Sequence, residues 1–167
     1  TIIGNAPDPA IFNRSGHEGS ERSKKVRLIA TSWSANPNKG FDVLEYLDST
    51  LDFSRFDMRF VGNSPVTFGN IKHIPPLSSP ELAQELKRSH VFIAPSRKDP
   101  CSNSLIEALH CGVPAVARDD GGHPEILADG GELFHDEAEI VLLIKKIVDD
   151  FPRYQEAIRS PAIDVIA

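Results

Sequence analysis

The sequence predicts an α/β protein: a Rossmann-like parallel sheet of about six strands, flanked by helices. Short apolar runs of strand length alternate through most of the chain with segments that carry apolar residues at helical spacing. The run Val91–Ala94 is apolar at every position, as expected of a strand buried on both faces of a parallel sheet. With 167 residues and 40% hydrophobic content, the chain is long enough to bury the core of one such domain.

The first half of the chain supplies two helices and three strands. The predicted elements are, in order, a strand at Val26–Thr31, a helix from Phe41 to about Leu51, a strand at Phe56–Gly62, a short strand at Ile71–Ile74 and a helix from Ser79 to Ser89. Ser79 is the predicted N-cap of the second helix, with Pro80 at its first helical position. His73 is predicted to be an ordinary strand residue, because no base, nucleophile or metal ligand stands beside it in the sequence.

The second half continues the alternation. The predicted elements are a strand at Val91–Ala94, a helix that begins near Ser102 and ends at Gly112, a strand at Pro114–Ala117, a short helix after Gly121, a strand at Glu132–Phe134, a helix from Asp136 to Asp150 and a final helix from Phe151 to Arg159. Crossovers between parallel strands are right-handed. The unit formed by residues 91–117 therefore places both strand ends and the helix N-terminus at one sheet edge, where open α/β folds bind ligands.

Residues 1–25 are predicted to lie outside the main domain, which spans residues 26–167. Thr1–Asn5 is a short β-prone piece that runs into a proline-rich turn, so its simplest interpretation is an N-terminal arm. Arg14–Lys25 is polar and contains glycine, which predicts a flexible loop.

Composition excludes several classes of function. The net charge of −6 argues against bulk binding to nucleic acid. Apolar runs are too short to span a membrane, and Thr1–Asn5 lacks the basic and apolar regions of a signal peptide. Cys101 and Cys111 form neither a disulfide framework nor a metal-binding spacing, so a reducing cytoplasm is the expected compartment.

Two carboxylates mark the predicted ligand edge. Asp99 precedes the helix that begins near Ser102, and Glu107 lies about one turn inside it, on the side away from its apolar face. The free amides of residues 101–104 would offer a phosphate group the positive end of the helix. Taken separately, Glu107 could be a solvated surface residue and Asp99 a turn residue.

The order of motifs around these carboxylates resembles the donor-site signature of the retaining GT-B glycosyltransferases of family GT4. The matching pieces are Pro95-Ser96, the acidic pair Asp99 and Glu107 at the spacing of the family's E-x7-E, Cys111-Gly112-x-Pro114, and Gly121-Gly122 followed by Glu125-Ile126. The sequence departs from the family at the first acidic position, where Asp99 is one methylene shorter than the usual Glu.

The resemblance implies that this is the donor-binding, C-terminal half of a GT-B fold. Lys39-Gly40 matches the family's Lys-Gly, whose lysine helps to neutralise the donor diphosphate; without the resemblance, Lys39 would be read as a solvated loop lysine. An arginine usually stands five residues before that lysine, and Ser34 takes its place here, with Arg97 the nearest substitute cation in the motif. The amides of Cys101, Ser102, Asn103 and Ser104 would hold the diphosphate together with Lys39.

The resemblance also assigns the remaining parts of the donor. Glu107 would accept hydrogen bonds from the ribose hydroxyls, and Asp99 would bind hydroxyls of the sugar. Pro76 and Leu77, in the loop after the third strand, would contact the nucleobase. Gly121 and Gly122 would bring backbone close to the donor, although from the residues alone they equally fit a tight connection.

The expected substrate is a UDP- or GDP-sugar, with no metal or other cofactor. Asn5-Ala6-Pro7-Asp8 with Phe12 resembles the passage by which GT4 chains cross between domains, so an N-terminal acceptor domain is expected to be missing from this chain. Any membrane contact is expected to involve that half. The alternatives are a non-catalytic nucleotide-sensing or protein-interaction module of the same fold and, less favoured, a sugar-nucleotide epimerase. A dinucleotide dehydrogenase is disfavoured because no glycine-rich fingerprint follows the first strand.

Overall fold

The computed structural model describes residues 7–17 and 24–158 of the chain. Its centre is a six-stranded sheet in the order β3-β2-β1-β4-β5-β6, in which every neighbouring pair is parallel. The strands are β1 (Val26–Ser32), β2 (Phe56–Gly62), β3 (Lys72–Ile74), β4 (Val91–Ala94), β5 (Ala115–Arg118) and β6 (Gly131–Phe134). The predicted Rossmann-like sheet is confirmed.

Helices cover both faces of the sheet. They are α1 (Phe41–Thr50), α2 (Ser79–Lys87), α3 (Asn103–His110), α4 (His123–Leu127), α5 (Ile140–Asp149) and α6 (Phe151–Ala157). Buried residues of α1, α5 and α6 pack on one face of the sheet, and those of α2, α3 and α4 pack on the other. Successive residues of β1 alternate between these two cores, with Leu28 and Ala30 in the first and Ile29 in the second. β4 is apolar and buried at all four positions because both of its faces are covered.

The order in which strands are added to the sheet switches sides between β1 and β4. Strands β2 and β3 extend the sheet on one side of β1, whereas β4, β5 and β6 extend it on the other. β4 pairs directly with β1, with Leu28 opposite Val91 and Ile29 opposite Phe92. The loops that leave the carboxyl ends of β1 and β4 lead to helices on opposite faces of the sheet, and the crevice beside these strand ends is the usual ligand site of such folds.

Two predicted helix starts differ in detail from the structure. Ser78, and not Ser79, is the N-cap of α2, and its backbone N–H donates to the Glu81 carboxylate over 3.4 Å. The helix predicted from Asp136 begins instead with a short 3-10 turn at Glu137–Glu139, and the α-helix starts at Ile140. Adjacent serines have the same capping chemistry, so only the path of the chain into the helix selects one of them.

The described part of the N-terminal arm packs against the domain. Phe12 is buried in the core that lies under α2 and α3. Arg14 donates to the backbone carbonyl of Gln155 over 3.1 Å, and the His17 ring stacks on Phe151 with 6.1 Å between ring centroids. Arg14 and His17 thus contact α6, although the sequence predicts a flexible loop there. The β-prone piece Thr1–Asn5, residues 18–23 and the end of the last predicted helix lie outside the described residues.

Among residues 7–17 and 24–158, no helix is both long and apolar enough to cross a membrane. Cys111 is fully buried and Cys101 half-buried, and both carry free thiols.

Helix α5 offers a direct test of which face carries the core. Ile144→Ala removes a side chain that is 0% exposed and should lower the free energy of unfolding by about 2–5 kcal/mol, because a cavity is left behind. Leu142→Ala, on the same helix but at a side chain that is 70% exposed, should change it by less than about 0.5 kcal/mol. Urea unfolding measures both, and equal losses would contradict the assigned packing of α5.

Candidate functional site

The loops after β1 and β4 meet at the carboxyl edge of the sheet. The β1 loop ends in a 3-10 turn, Pro37–Lys39, capped by the Asn36 side chain. The carbonyl of Asn38 in this turn accepts a hydrogen bond from the backbone N–H of Arg97 over 2.7 Å. This bond joins the β1 loop to the segment that leads into α3.

Gly40 makes the closest contact between the two loops. It has a φ of +79°, and a Cβ built at this position would lie 2.4 Å from the Pro95 carbonyl oxygen. A side chain here would therefore combine an unfavourable backbone conformation with a collision against backbone. The glycine of the predicted Lys-Gly pair lets Lys39 approach the end of β4.

Lys39 and Asp99 come together across this junction. Their side chains form an ion pair with Nζ and Oδ2 3.7 Å apart. The other Asp99 oxygen accepts from the Cys101 backbone N–H over 3.3 Å, so the short side chain folds back onto its own loop. Lys39 and Asp99 line a narrow cavity together with Ser96, Ser102 and Ser104. The structure thus joins two of the predicted site residues from separate loops.

Helix α3 points its N-terminus at the same edge. Ser102 is the N-cap and is buried, and its Oγ accepts from the Leu105 backbone N–H over 3.3 Å. Within the described residues, the amides of Asn103 and Ser104 have no backbone or side-chain acceptor. The amide of Cys101, in contrast, already donates to Asp99. Asn103 and Ser104 therefore provide the open hydrogen-bond donors of the predicted phosphate site.

Glu107 lies one turn beyond Ser104 on the same side of α3. Its side chain is half-buried and makes no hydrogen bond or ion pair to the described residues. Burial raises the pKa of this carboxyl from 4.5 to about 7. Carboxyl groups that are desolvated without a partner occur preferentially at functional sites.

Arg97 is paired with an acidic residue of α1. Its guanidinium makes a bidentate pair with the Asp42 carboxylate in the first turn of α1, at 2.9 and 2.7 Å. The hydrogen bonds from Arg97 keep the pKa of Asp42 below its ordinary value. Ser34 uses its Oγ to accept from the Asn36 backbone N–H over 3.1 Å. Ser34 stands where the resembled family usually has an arginine. If Arg97 takes over the role of that arginine, it does so from a position in which it is paired with Asp42.

The Gly121-Gly122 turn approaches the loop that carries Asp99. The Gly122 N–H donates to the Asp99 carbonyl over 2.9 Å, and a Cβ at Gly121 would lie 2.4 Å from that oxygen. Asp120 accepts from the Lys98 backbone N–H over 2.8 Å. The structure therefore supports the tight connection as a role for these glycines, which places the backbone of Asp99. Direct contact between Gly121 or Gly122 and a donor stays a prediction.

Pro76 and Leu77 follow β3 at the same carboxyl edge, two strands away from β1. Trp33 directly follows β1, which lies between β3 and β4 in the strand order, and its side chain is 50% exposed. The backbone carbonyl of Trp33 accepts from the Asn63 side chain over 2.8 Å, which ties the ends of β1 and β2 together. Nucleobase contact by Pro76 and Leu77 stays a prediction.

Sequence reasoning missed three residues that hold other residues of the candidate site in place. Asp42 holds Arg97, the Arg118 Nε donates to the Pro95 carbonyl over 2.9 Å, and buried His123 contacts Ser96. No local pattern marks them, because each acts on a residue that is distant in the chain. Among the described residues, no group of three or more His, Cys, Asp or Glu side chains could hold a metal ion.

The family described as "Glycosyl transferases group 1" matches residues 69–161, which is more than half of the chain. The chain belongs to this family. The match includes Asp99, Glu107 and the Gly121-Gly122 turn, and it begins after the Lys39-Gly40 pair.

Curated relatives of this group 1 glycosyltransferase chain match over shorter segments. The chain is 39% identical over 61 residues to an alpha-maltose-1-phosphate synthase of Mycobacterium tuberculosis, covering 35% of this chain and 16% of the relative. It is 33% identical over 93 residues to D-inositol 3-phosphate glycosyltransferase 1 of Catenulispora acidiphila, covering 53% of this chain and 22% of the relative. The matches therefore span about a fifth or less of these relatives' lengths.

Solved structures show the same fold over nearly the whole chain. The C-terminal domain of the group 1 glycosyltransferase LpcC from Francisella tularensis superposes with a TM-score of 0.69 at 16% identity, covering 96% of both chains. Anabaena HepE, solved with UDP and glucose, superposes with a TM-score of 0.71 at 17% identity, covering 97% of this chain and 50% of HepE. The chain thus has the fold of the C-terminal half of GT-B glycosyltransferases.

The contact between Gly40 and Pro95 predicts an asymmetry between two glycines. Gly40→Ala should lower the free energy of unfolding by about 2–4 kcal/mol, from the positive φ and the collision together. Gly16→Ala is the matched control, because Gly16 has a φ of +75° but nothing within 4 Å of a built Cβ. It should cost only about 1 kcal/mol. Equal losses in urea unfolding would show that Pro95 does not constrain Gly40.

The raised pKa of Glu107 predicts how its substitution affects stability. An acid with a raised folded-state pKa stabilises the fold fully below its unfolded value of 4.5 and loses that contribution as pH rises through about 7. Glu107→Gln should therefore be more favourable relative to wild type at about pH 8 than at about pH 5. Chemical unfolding at both pH values measures this. The exposed residue Glu45, changed to Gln, is the control and should show no such difference. A pH-independent effect of Glu107→Gln would contradict the desolvated carboxyl.

Proposed function

We propose that this chain is the donor-binding domain of a GT4-like retaining glycosyltransferase that transfers a hexose from a UDP- or GDP-sugar. The observation that carries the proposal is the meeting of Lys39, Asp99 and the open α3 amides at the point where the chain order reverses. A cation and helix amides suit a diphosphate, and a carboxylate suits sugar hydroxyls. These groups stand side by side, as the linked parts of a nucleotide-sugar require.

Each group has a defined task in this proposal. The amides of Asn103 and Ser104, with Lys39, bind the diphosphate. Asp99 accepts hydrogen bonds from the sugar, and Glu107 accepts them from the ribose. Binding of ribose would give the Glu107 carboxylate the partners that it lacks within the described residues.

Departure of the nucleoside diphosphate is the step that the site assists most directly. As the bond between the sugar and the diphosphate breaks, negative charge grows on the phosphate oxygens. In this proposal the helix amides and the Lys39 ammonium stabilise that charge, and groups that are already held in place need little reorganisation as the charge develops. Retention of configuration fits a site in which the departing phosphate itself accepts the proton of the acceptor hydroxyl.

The identity of the donor follows from the relatives only as a class. HepE was solved with UDP and glucose, which supports a nucleotide-sugar as the ligand of this fold. The acceptor would be bound by a further domain, because the matches cover only part of the relatives' lengths. Activity would then need that domain as well, and this chain alone would bind the donor without turnover.

A non-catalytic nucleotide-sensing module is the second candidate. The pairing of Arg97 with Asp42, together with Ser34 at the position of the family's arginine, favours it, because one phosphate-binding cation is then lacking. Turnover separates the two functions. Release of nucleoside diphosphate from a sugar donor, dependent on an acceptor, by a protein that contains this chain and its acceptor domain would eliminate the sensor.

The donor role of Glu107 is tested by calorimetric titration of this chain with UDP- and GDP-sugars. Glu107→Ala should weaken binding about 10-fold or more, because charge-assisted hydrogen bonds to the ribose are lost. The variant should remain folded, with a melting temperature no lower than that of wild type, since the substitution removes a desolvated carboxyl and none of the buried residues of α3. Glu45→Ala, on the exposed side of α1, is the control and should bind as wild type does. Wild-type affinity in Glu107→Ala would remove the ribose contact from the proposal.

A further inference from the structure

Ser96 is the second residue after β4 and lines the same narrow cavity as Lys39 and Asp99. Its hydroxyl lies 3.2 Å from Nε2 of His123, the first residue of α4, which is 0% exposed. The other ring nitrogen of His123, Nδ1, lies 3.0 Å from the backbone carbonyl of Arg118. The imidazole therefore bridges the end of β5 to the floor of the candidate site.

The partners of His123 determine where its proton lies. A carbonyl oxygen only accepts hydrogen bonds, so Nδ1 must carry a hydrogen and donate it to Arg118. Burial lowers the pKa of His123, so the ring is neutral near pH 7. Among the groups that face it, Asp99 and Asp120 oppose this shift and the Arg118 guanidinium adds to it. In this tautomer Nε2 is an acceptor, and Ser96 must donate its hydroxyl hydrogen to it.

The remaining hydrogen-bonding capacity of Ser96 is two lone pairs. The cavity that it lines measures about 20 Å³, which is close to the space of one water molecule. A phosphate oxygen brings no hydrogen at neutral pH and would be repelled by these lone pairs. A sugar hydroxyl brings one hydrogen for Ser96 and can accept from a neighbouring donor.

We propose that His123 is a positioning residue that fixes the Ser96 hydroxyl as an acceptor for one hydroxyl of the donor sugar. The inference rests on the proposed function and adds two residues to it. It also separates the parts of the ligand, because Ser96 contributes to binding of the sugar and not of the nucleoside diphosphate. A residue with a merely structural role would affect both.

Two substitutions of His123 each retain one of its two hydrogen bonds and remove the other. The side-chain nitrogen of Asn overlays Nδ1, so His123→Asn keeps the bond to Arg118 and releases Ser96. The end of a Gln side chain reaches the position of Nε2, so in His123→Gln its oxygen accepts from Ser96 and the bond to Arg118 is lost. Ser96→Ala removes the acceptor itself. It places a small apolar side chain at a buried position, so we expect this variant to fold.

The experiment is calorimetric titration of this chain and its variants with UDP, GDP and the corresponding sugar nucleotides, with melting temperatures recorded for each. His123→Asn and Ser96→Ala should weaken binding of the sugar nucleotide about 3- to 10-fold and leave binding of the nucleoside diphosphate unchanged. His123→Gln should retain most of the wild-type affinity for the sugar nucleotide. The double variant Ser96→Ala with His123→Asn should bind as weakly as Ser96→Ala alone.

Parallel weakening of diphosphate and sugar nucleotide in folded variants would overturn the inference, because it would reveal a structural role. Wild-type affinity in Ser96→Ala would overturn it too. Both results leave the proposed function standing. If wild-type protein binds no nucleotide or sugar nucleotide at all, the proposed function fails, and the inference fails with it.

Discussion

The candidate site depends on the approach of two backbone segments at the end of β4. The Pro95 carbonyl is contacted from one side by Gly40, where no side chain fits, and from the other by the Arg118 guanidinium. The Arg97 N–H bonds to Asn38 close beside it. Because these contacts involve main-chain atoms, they fix the distance between the loops more firmly than flexible side chains would. The positions of Lys39 and Asp99 follow from that distance.

Charge is distributed unevenly over this edge. Arg97 is neutralised by Asp42, and Asp120 is satisfied by backbone N–H groups of the two loops that it joins. These pairs hold loops in place and leave little charge for a ligand. Glu107 and the α3 amides differ from them, because the described residues give them no partner. Unsatisfied groups lower stability, and such groups occur preferentially at functional sites.

The comparisons of structure and of sequence cover different shares of the chain. The chain superposes on solved structures over nearly its full length at 16 or 17% identity. Sequence matches to curated relatives at higher identity cover only 35 to 53% of the chain. A parallel sheet with both faces buried needs apolar residues at successive positions of its central strands, and many apolar residues meet that need. The matched family region, residues 69–161, contains the predicted site residues Asp99 and Glu107.

Local sequence patterns predicted the strands, the helices and the edge of the sheet at which the candidate site lies. Strands β2 and β4 lie where their apolar runs predict, α3 starts after Ser102, and Glu107 lies on the face away from the core, because periodicity and capping are local properties. Only the tertiary structure decided that Arg97 pairs with Asp42, that Gly121 and Gly122 press against the Asp99 loop, and that His123 reaches Ser96. These contacts join residues that are far apart in the chain. Their geometry is set by strand order and loop paths, which no local pattern of residues specifies.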